Sequence, residues 1–360
     1  MAKRLMMGNE AIGEGAIQAG CRFYAGYPIT PQNELTAYMA KRMPEVNGVF
    51  IQSESELAAI SMLYGASLVG ARTMTSSSSP GISLMQEGIS YMAGAELPCV
   101  IANIQRGGPG LGNISGAQGD YFQATRGGGH GDYRTLVLAP HSVQEMFHLT
   151  REAFDLADRY RSPVIILGDG VLGQMMEPME IQPPKASLAK GGDPESRIQD
   201  PAKKDWILDG CQGREPRSIK SLILGENSLE KHNERLAEKY KEMEKEIRYE
   251  AVEIEDAQAI LVAFGTSARI CKEAMHRARK EGLKVGLIRP ITLFPFPKEI
   301  ILENAPRIKG YLTVEMNLGQ MVEDVRLAVS GRCPVHFYGR PAGGFPEVEI
   351  IIEKIKEILG

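Results

Sequence analysis

Over residues 9–169, short apolar runs alternate with longer stretches whose apolar positions recur every three or four residues, and the runs end in Gly, Ser or Pro clusters. This is the pattern of strands joined by helices. Strands are predicted at 22–25, 49–52, 71–75, 100–105, 135–139 and 164–168, with helices at 30–42, 54–69, 82–94 and 142–159 between them. The fold class that follows is α/β, with a doubly wound parallel sheet. Such sheets place ligands beyond the carboxyl ends of their strands, in the loops that lead into helices.

From 177 to 217 the pattern breaks down into Pro, Gly, Lys and Asp with little periodicity, and 229–247 then reads as a heavily charged, exposed helix. A second α/β unit follows. It comprises a strand at 259–264, the turn Gly265-Thr266-Ser267, a helix at 268–281, strands at 284–289, 311–315 and 335–338, and a closing helix at 346–359. The expected organisation is a first domain at 1–185, a linker and charged helix at 186–255, and a second domain at 256–360.

Composition narrows the function classes. A chain of 360 residues with 43% hydrophobic content can build two cores, and a net charge of −4 gives no reason to expect nucleic acid as partner. The start has no signal-like apolar stretch and no later run reaches membrane-spanning length, which places the chain in the cytoplasm, off the membrane. The five cysteines, Cys21, Cys99, Cys211, Cys271 and Cys333, are far apart and form no C-x-x-C pair. No metal site is expected on this chain, and any redox cluster belongs to another. Each cysteine reads as a small buried or partly buried thiol.

Five segments at predicted strand ends can carry chemistry. In Tyr27-Pro28-Ile29-Thr30-Pro31, Thr30 suits a helix cap with Pro31 at the first helical position; alternatively its hydroxyl meets a ligand oxygen. In Ser53-Glu54-Ser55-Glu56, Ser53 and Glu56 have capping-box spacing, while a carboxylate among Leu57, Ala58 and Ile60 could be desolvated for acid–base work. The run Thr75-Ser76-Ser77-Ser78-Ser79-Pro80-Gly81 offers hydroxyls at a helix start, either as a cap or as an anion cradle. Arg106, followed by Gly107-Gly108-Pro109-Gly110, suits bidentate recognition of a carboxylate, with a surface ion pair as the alternative. The loop Arg126-Gly127-Gly128-Gly129-His130 is flexible enough to gate a site, with His130 as proton carrier or as an ordinary hydrogen-bonded histidine. No true G-x-G-x-x-G follows a strand. Gly168-Asp169-Gly170 is similar to the start of a thiamine-enzyme diphosphate and Mg2+ motif, but residues 195–200 lack the Asn it requires, so it reads as a strand-end turn.

Taken together, YPITPQ, QSESE, TSSSSPGISLMQEGI, ANIQRGGPGLGN and RGGGHGDY resemble, in this order, the alpha subunits of 2-oxoacid:ferredoxin oxidoreductases. The likeness runs from about Gly8 to Glu177 and resumes at Ala259. It implies a pyrimidine-type thiamine diphosphate domain followed by a transketolase C-terminal-like domain. Thiamine diphosphate would lie between this chain and a beta subunit that holds its diphosphate through Mg2+. Carried over, Glu56 bonds the pyrimidine ring and activates the thiazolium carbon, with Glu54 as the neighbouring candidate. Thr30 and Arg106 hold the 2-oxoacid, and Tyr27, Pro28, Ile29 and Ser78 line the cofactor. Electrons would pass to iron–sulfur (4Fe-4S) clusters on partner chains and then to external ferredoxin, while coenzyme A receives the acyl group. Separate beta, gamma and ferredoxin-like delta subunits are expected.

Among family members the wording is most similar to subunits acting on branched-chain acids, 3-methyl-2-oxobutanoate above all. Those acting on 2-oxoglutarate are the alternative, with Arg126 or His130 available for a distal carboxylate. A transketolase-like or 2-oxoacid dehydrogenase beta chain, and a non-catalytic assembly subunit, are the remaining readings.

Overall fold

The computed structural model describes residues 3–181 and 204–360. Strands β1 (Lys3–Met7) and β8 (Met176–Glu180) pair antiparallel, tying the chain's beginning to the end of the first unit. Between them, β2 (Phe23–Gly26), β3 (Val49–Gln52), β4 (Thr73–Ser77), β5 (Cys99–Gln105), β6 (Leu136–Leu138) and β7 (Pro163–Asp169) form a parallel sheet in the order β6-β7-β5-β4-β2-β3. The central strands β5 and β7 are buried along their whole length, as strands covered on both faces must be. Helices α1 (Gly8–Gln18), α2 (Asn33–Glu45) and α6 (Val143–Tyr160) pack together on one side, and α3 (Glu56–Leu68) packs with α4 (Ser79–Gly94) on the other. α6 is capped by Ser142, whose hydroxyl accepts from the Glu145 amide, and buries Met146, Phe147, Phe154 and Leu156. The short helices α5 (Tyr121–Arg126) and α7 (Gly170–Gln174) lie at the carboxyl edge of this sheet.

From Lys204 the chain is docked on the first unit. Lys204 is buried, with its ammonium 2.9 Å from Asp158 Oδ1, and the Leu208 amide donates to the Leu68 carbonyl at 2.8 Å. α8 (Ser228–Glu242) buries Leu236 and Tyr240 and is pinned by Lys239 to Glu96 at 3.2 Å. From residue 204 through α8 the predicted linker and charged helix, 186–255, is thus a strap packed on the first unit, whereas its last part, Tyr249–Val252, joins the second sheet, so that unit begins before the expected residue 256; the earlier part, with the stretch 195–200, lies outside the described residues.

The second sheet has the order β14-β13-β10-β11-β9, from β9 (Tyr249–Val252), β10 (Ala259–Val262), β11 (Val285–Pro290), β13 (Gly310–Glu315) and β14 (Val335–Gly339); only the edge strand β9 runs antiparallel. Helices α9 (Gly265–Lys280) and α12 (Val348–Leu359) enclose a separate core around Leu261, Leu287 and Ile351. On the other side α10 (Lys298–Asn304) and α11 (Met321–Val329) contribute to the core of the first unit. One short strand, β12 (Thr292–Phe294), crosses over and pairs antiparallel with β6, extending the first sheet to seven strands. The two units share a continuous core.

Candidate active site

β4 ends in the serine run, and its geometry organises everything around it. Successive side chains of a strand point to opposite faces, so neighbouring serines part company. The Ser76 hydroxyl donates to Gln32 Oε1 at 2.7 Å, on the α2 side. The Ser77 hydroxyl donates to Glu56 Oε1 at 3.1 Å, on the α3 side. Ser79, the first residue of α4, places its hydroxyl 2.6 Å from Asp120 Oδ2 and accepts from the Arg106 amide at 3.0 Å. Ser78 sits at the cap position without forming a side-chain cap; its hydroxyl is fully enclosed and has no hydrogen-bond partner among the described residues. The expected cofactor contact through Ser78 therefore finds that side chain beneath the surface, while the serine run as a whole links separate loops.

Glu56 opens α3 and is 6% exposed, whereas Glu54 is exposed. The predicted capping box between Ser53 and Glu56 does not form. Ser55 is the cap, accepting from the Ala58 amide at 3.2 Å, and the Ser53 hydroxyl is buried without a partner. The helix starts two residues later than that spacing assumes. Gly81 explains how a carboxylate fits here. A Cβ on Gly81 would lie 2.2 Å from Glu56 Oε1 and 2.0 Å from Ser77 Oγ, so any side chain would displace the acid. Among the described residues Glu56 makes no hydrogen bond beyond that to Ser77, which leaves its second oxygen for a ligand.

Thr30 and Arg106 meet. Arg106 is 7% exposed; its Nη1 donates to the Thr30 carbonyl at 2.9 Å and its Nη2 to the Leu111 carbonyl at 3.1 Å, while Nε has no partner among the described residues. The arginine is thus a buried clamp on two loops and not a surface ion pair. Thr30 does not cap α2, which begins at Asn33; its hydroxyl accepts from Asn33 Nδ2 at 3.1 Å. A residue preceding proline is pushed away from helical conformation, and the helix starts beyond it. Tyr27 and Pro28 are exposed and Ile29 is half-buried on the loop between β2 and α2.

His130 is not brought to this cluster. It is exposed, its carbonyl accepts from Ser90 Oγ at 2.7 Å, and its ring sits edge-on to Tyr91. Ser90 is eleven residues beyond Ser79 on α4, about 16 Å at the helical rise. Arg126 is engaged as well, paired with Glu323 at 3.3 Å and Asp324 at 3.4 Å and stacked over Phe122 at 4.0 Å.

Asp169 is a strand-end residue, as its sequence context suggested, and it also joins the two units. Oδ1 accepts from the Val171 amide at 3.0 Å and the Thr266 hydroxyl at 2.8 Å, so it caps α7 and holds the start of α9. Burial pushes its carboxyl above the usual range, against the pull of those bonds. Gln118 completes the junction, donating to the Phe264 carbonyl at 2.9 Å and accepting from the Ser267 hydroxyl at 2.8 Å. Sequence reading passed over Gln32, Gly81, Asp120 and Gln118; only Gln32 and Gly81 stood inside singled-out segments. Among the cysteines, Cys211 departs from expectation in being exposed.

Comparison with known proteins gives the family and the fold. Residues 14–251 match the family described as pyruvate flavodoxin/ferredoxin oxidoreductase, thiamine diphosphate-binding, and residues 257–351 match pyruvate:ferredoxin oxidoreductase core domain II. The chain is 48% identical to the ketoisovalerate oxidoreductase subunit VorB of Methanothermobacter thermautotrophicus, over 100% of this chain and 99% of that one. It is 39% identical to the 2-oxoglutarate synthase subunit KorA of Methanocaldococcus jannaschii, over 90% and 91% of the two chains. The solved 2-oxoglutarate:ferredoxin oxidoreductase of Magnetococcus marinus, with 2-oxoglutarate, coenzyme A and succinyl-CoA bound, superposes with a TM-score of 0.81 at 28% identity, covering 99% of this chain and 65% of that one. No helix among the described residues is long and apolar enough to cross a membrane.

Proposed function

Because the chain belongs to the pyruvate flavodoxin/ferredoxin oxidoreductase family of 2-oxoacid oxidoreductase subunits, we propose that it is the thiamine-activating alpha subunit of a complex that oxidatively decarboxylates 3-methyl-2-oxobutanoate to its acyl-CoA. The observation that carries the reading is Glu56, a buried carboxylate with one oxygen fixed by Ser77 and the other without a hydrogen bond among the described residues, seated in the space that Gly81 leaves open. These residues fit the aminopyrimidine end of thiamine diphosphate, which needs a carboxylate opposite its ring nitrogen. When bound, the cofactor supplies the nucleophilic carbon and the electron sink for decarboxylation.

The chain's own residues orient and enclose. Glu56 holds a proton position at the ring nitrogen, and Arg106 fixes the Tyr27–Thr30 loop against which the oxoacid lies, its Nε unpartnered among the described residues. Tyr27, Leu57 and Leu111 stand exposed around this edge, a surface that a second subunit would cover. In this proposal a beta subunit brings the diphosphate site, Mg2+ and an iron–sulfur (4Fe-4S) cluster. Gamma and ferredoxin-like delta subunits complete the complex, and both electrons leave one at a time for external ferredoxin as coenzyme A takes the acyl group.

The branched-chain substrate rests on the full-length likeness to a ketoisovalerate oxidoreductase subunit and on the engagement of Arg126, which is occupied by Glu323 and Asp324 and so not offered to a distal carboxylate. The test is anaerobic, thiamine- and CoA-dependent reduction of a viologen dye by the native complex, with 3-methyl-2-oxobutanoate, 2-oxoglutarate, pyruvate and an aryl pyruvate in parallel. The branched acid should give the highest kcat/KM. A preference for 2-oxoglutarate would reject the substrate and keep the mechanism, and no reduction with any acid would reject both.

A further inference from the structure

Beneath the Tyr27–Thr30 loop lies a closed ring of polar side chains from β2, α2 and β4. Tyr24 OH lies 2.6 Å from Ser76 Oγ and 3.1 Å from Thr36 Oγ1 and donates its one proton to one of the two. Ser76 and Thr36 both donate to Gln32 Oε1, at 2.7 and 3.0 Å. Tyr24, Gln32 and Ser76 are fully enclosed and Thr36 is 6% exposed. Such a ring is costly in an interior unless its groups are partnered, and partnered it fixes direction as an apolar cluster cannot. Here the direction is spent on the loop: Gln32 Nε2 donates to the Tyr27 carbonyl at 3.2 Å, and the loop's far end is held by Arg106 on the Thr30 carbonyl.

One residue along β4, on the opposite face, Ser77 makes its single bond to Glu56. From this juxtaposition we infer that the adjacent serines are positioning residues with separate duties: Ser77 sets the carboxylate that meets the cofactor, and Ser76, acting through Gln32, sets the loop that meets the oxoacid. The inference rests on the roles given above to Glu56 and Thr30. It divides the site into two halves that share one strand and touch different kinetic parameters.

The experiment compares Ser76→Ala and Ser77→Ala in the assembled complex, the same chemical change one residue apart. Ser77→Ala should lower kcat about tenfold, with KM for the oxoacid changed by less than about twofold, and should slow deuterium exchange at the thiazolium C2 of bound cofactor. Ser76→Ala should raise KM about tenfold, with kcat changed by less than about twofold and C2 exchange unaltered. Loss of a single hydroxyl opens little space, so both variants are expected to assemble; Gln32→Met, which removes the Gln32 bond to the Tyr27 carbonyl through which Ser76 acts, replaces Ser76→Ala if it does not. The same kcat and KM pattern in both serine variants, or lowered Tm with unchanged kinetics, overturns the division, as does a Gln32→Met complex with normal KM. Glu56→Gln is run beside them. If it retains turnover, the role of Glu56 itself falls, a failure distinct from any result at the serines.

Discussion

Two buried glutamates occupy equivalent places in the two sheets, each between the carboxyl end of a parallel strand and the start of a helix. Glu315 ends β13 and turns back on α11: its carboxylate accepts from Asn317 Nδ2 at 2.9 Å, the Met321 amide at 2.8 Å and the Val322 amide at 3.0 Å. Every lone pair that the helix start can use is taken, and the acid serves as a cap. Glu56 has the same kind of setting at α3, but the cap is made by Ser55 and the carboxylate keeps one bond, to Ser77. Partner count, and not burial, separates the two: Glu315 is saturated by the fold, while Glu56 is held at one oxygen and left open at the other. A buried acid that the fold does not use is the better candidate for chemistry.

Glu56→Gln should break the comparison most visibly. It keeps the acceptor for Ser77 and the shape of the side chain, so Tm should hold, while oxoacid-dependent viologen reduction should fall by about a hundredfold or more, as loss of a proton-handling group does. Equal turnover in the variant would make Glu56 a second Glu315. The converse change, Glu315→Ala, should leave kcat per folded complex unchanged and destabilise the chain by about 3–5 kcal/mol, since it strands the buried donors of Met321, Val322 and Asn317. Chemical denaturation measures this, and a loss below about 1 kcal/mol would show that the bonds are replaced by water.

Much of this frame is legible in the sequence, and the exceptions share physical causes. The strands of the first sheet are found because buried parallel strands are continuous apolar runs, and the loops because Gly, Pro and Ser mark them. α1 escapes because Gly8, Gly13 and Gly15 weaken a helical pattern; in the fold Gly15 lets it approach the Phe147 backbone, where a Cβ would lie 2.6 Å from that carbonyl oxygen. β12 escapes because a three-residue strand is defined by its distant partner, β6. At the site the five segments are legible, but the individual duties are not. Thr30 and Ser53 fit capping patterns, yet their helices start at Asn33 and Glu56. A run of four serines likewise does not say which hydroxyl faces which helix until strand β4 fixes the alternation.

A third acid, half-buried, sharpens the contrast at smaller amplitude. Glu145, in the first turn of α6, reaches across to the second unit, where Arg289 grips both its oxygens at 2.8 and 3.0 Å, and His141 Nδ1 lies 2.7 Å from Oε2. Burial alone would raise its carboxyl, but the His141 bond and the Arg289 charge outweigh that and hold it at about 2. At Glu315 burial wins, and the carboxyl lies above its usual value. The signs therefore oppose. An acid depressed in the folded state contributes stability that is present above its unfolded value, near 4.3, and is lost as pH falls toward about 2. An acid raised in the folded state loses nothing on acidification. Between pH ~4.3 and ~2 the wild-type chain should thus lose stability through the Glu145–Arg289 clasp. In Glu145→Gln the drop in Tm across that window should be shallower than in wild type, whereas Glu315→Ala should not flatten it. Parallel curves for wild type and Glu145→Gln would mean that Arg289 is satisfied by Glu250, 2.8 Å away within the second sheet, and that the clasp to Glu145 adds no acid-labile stability.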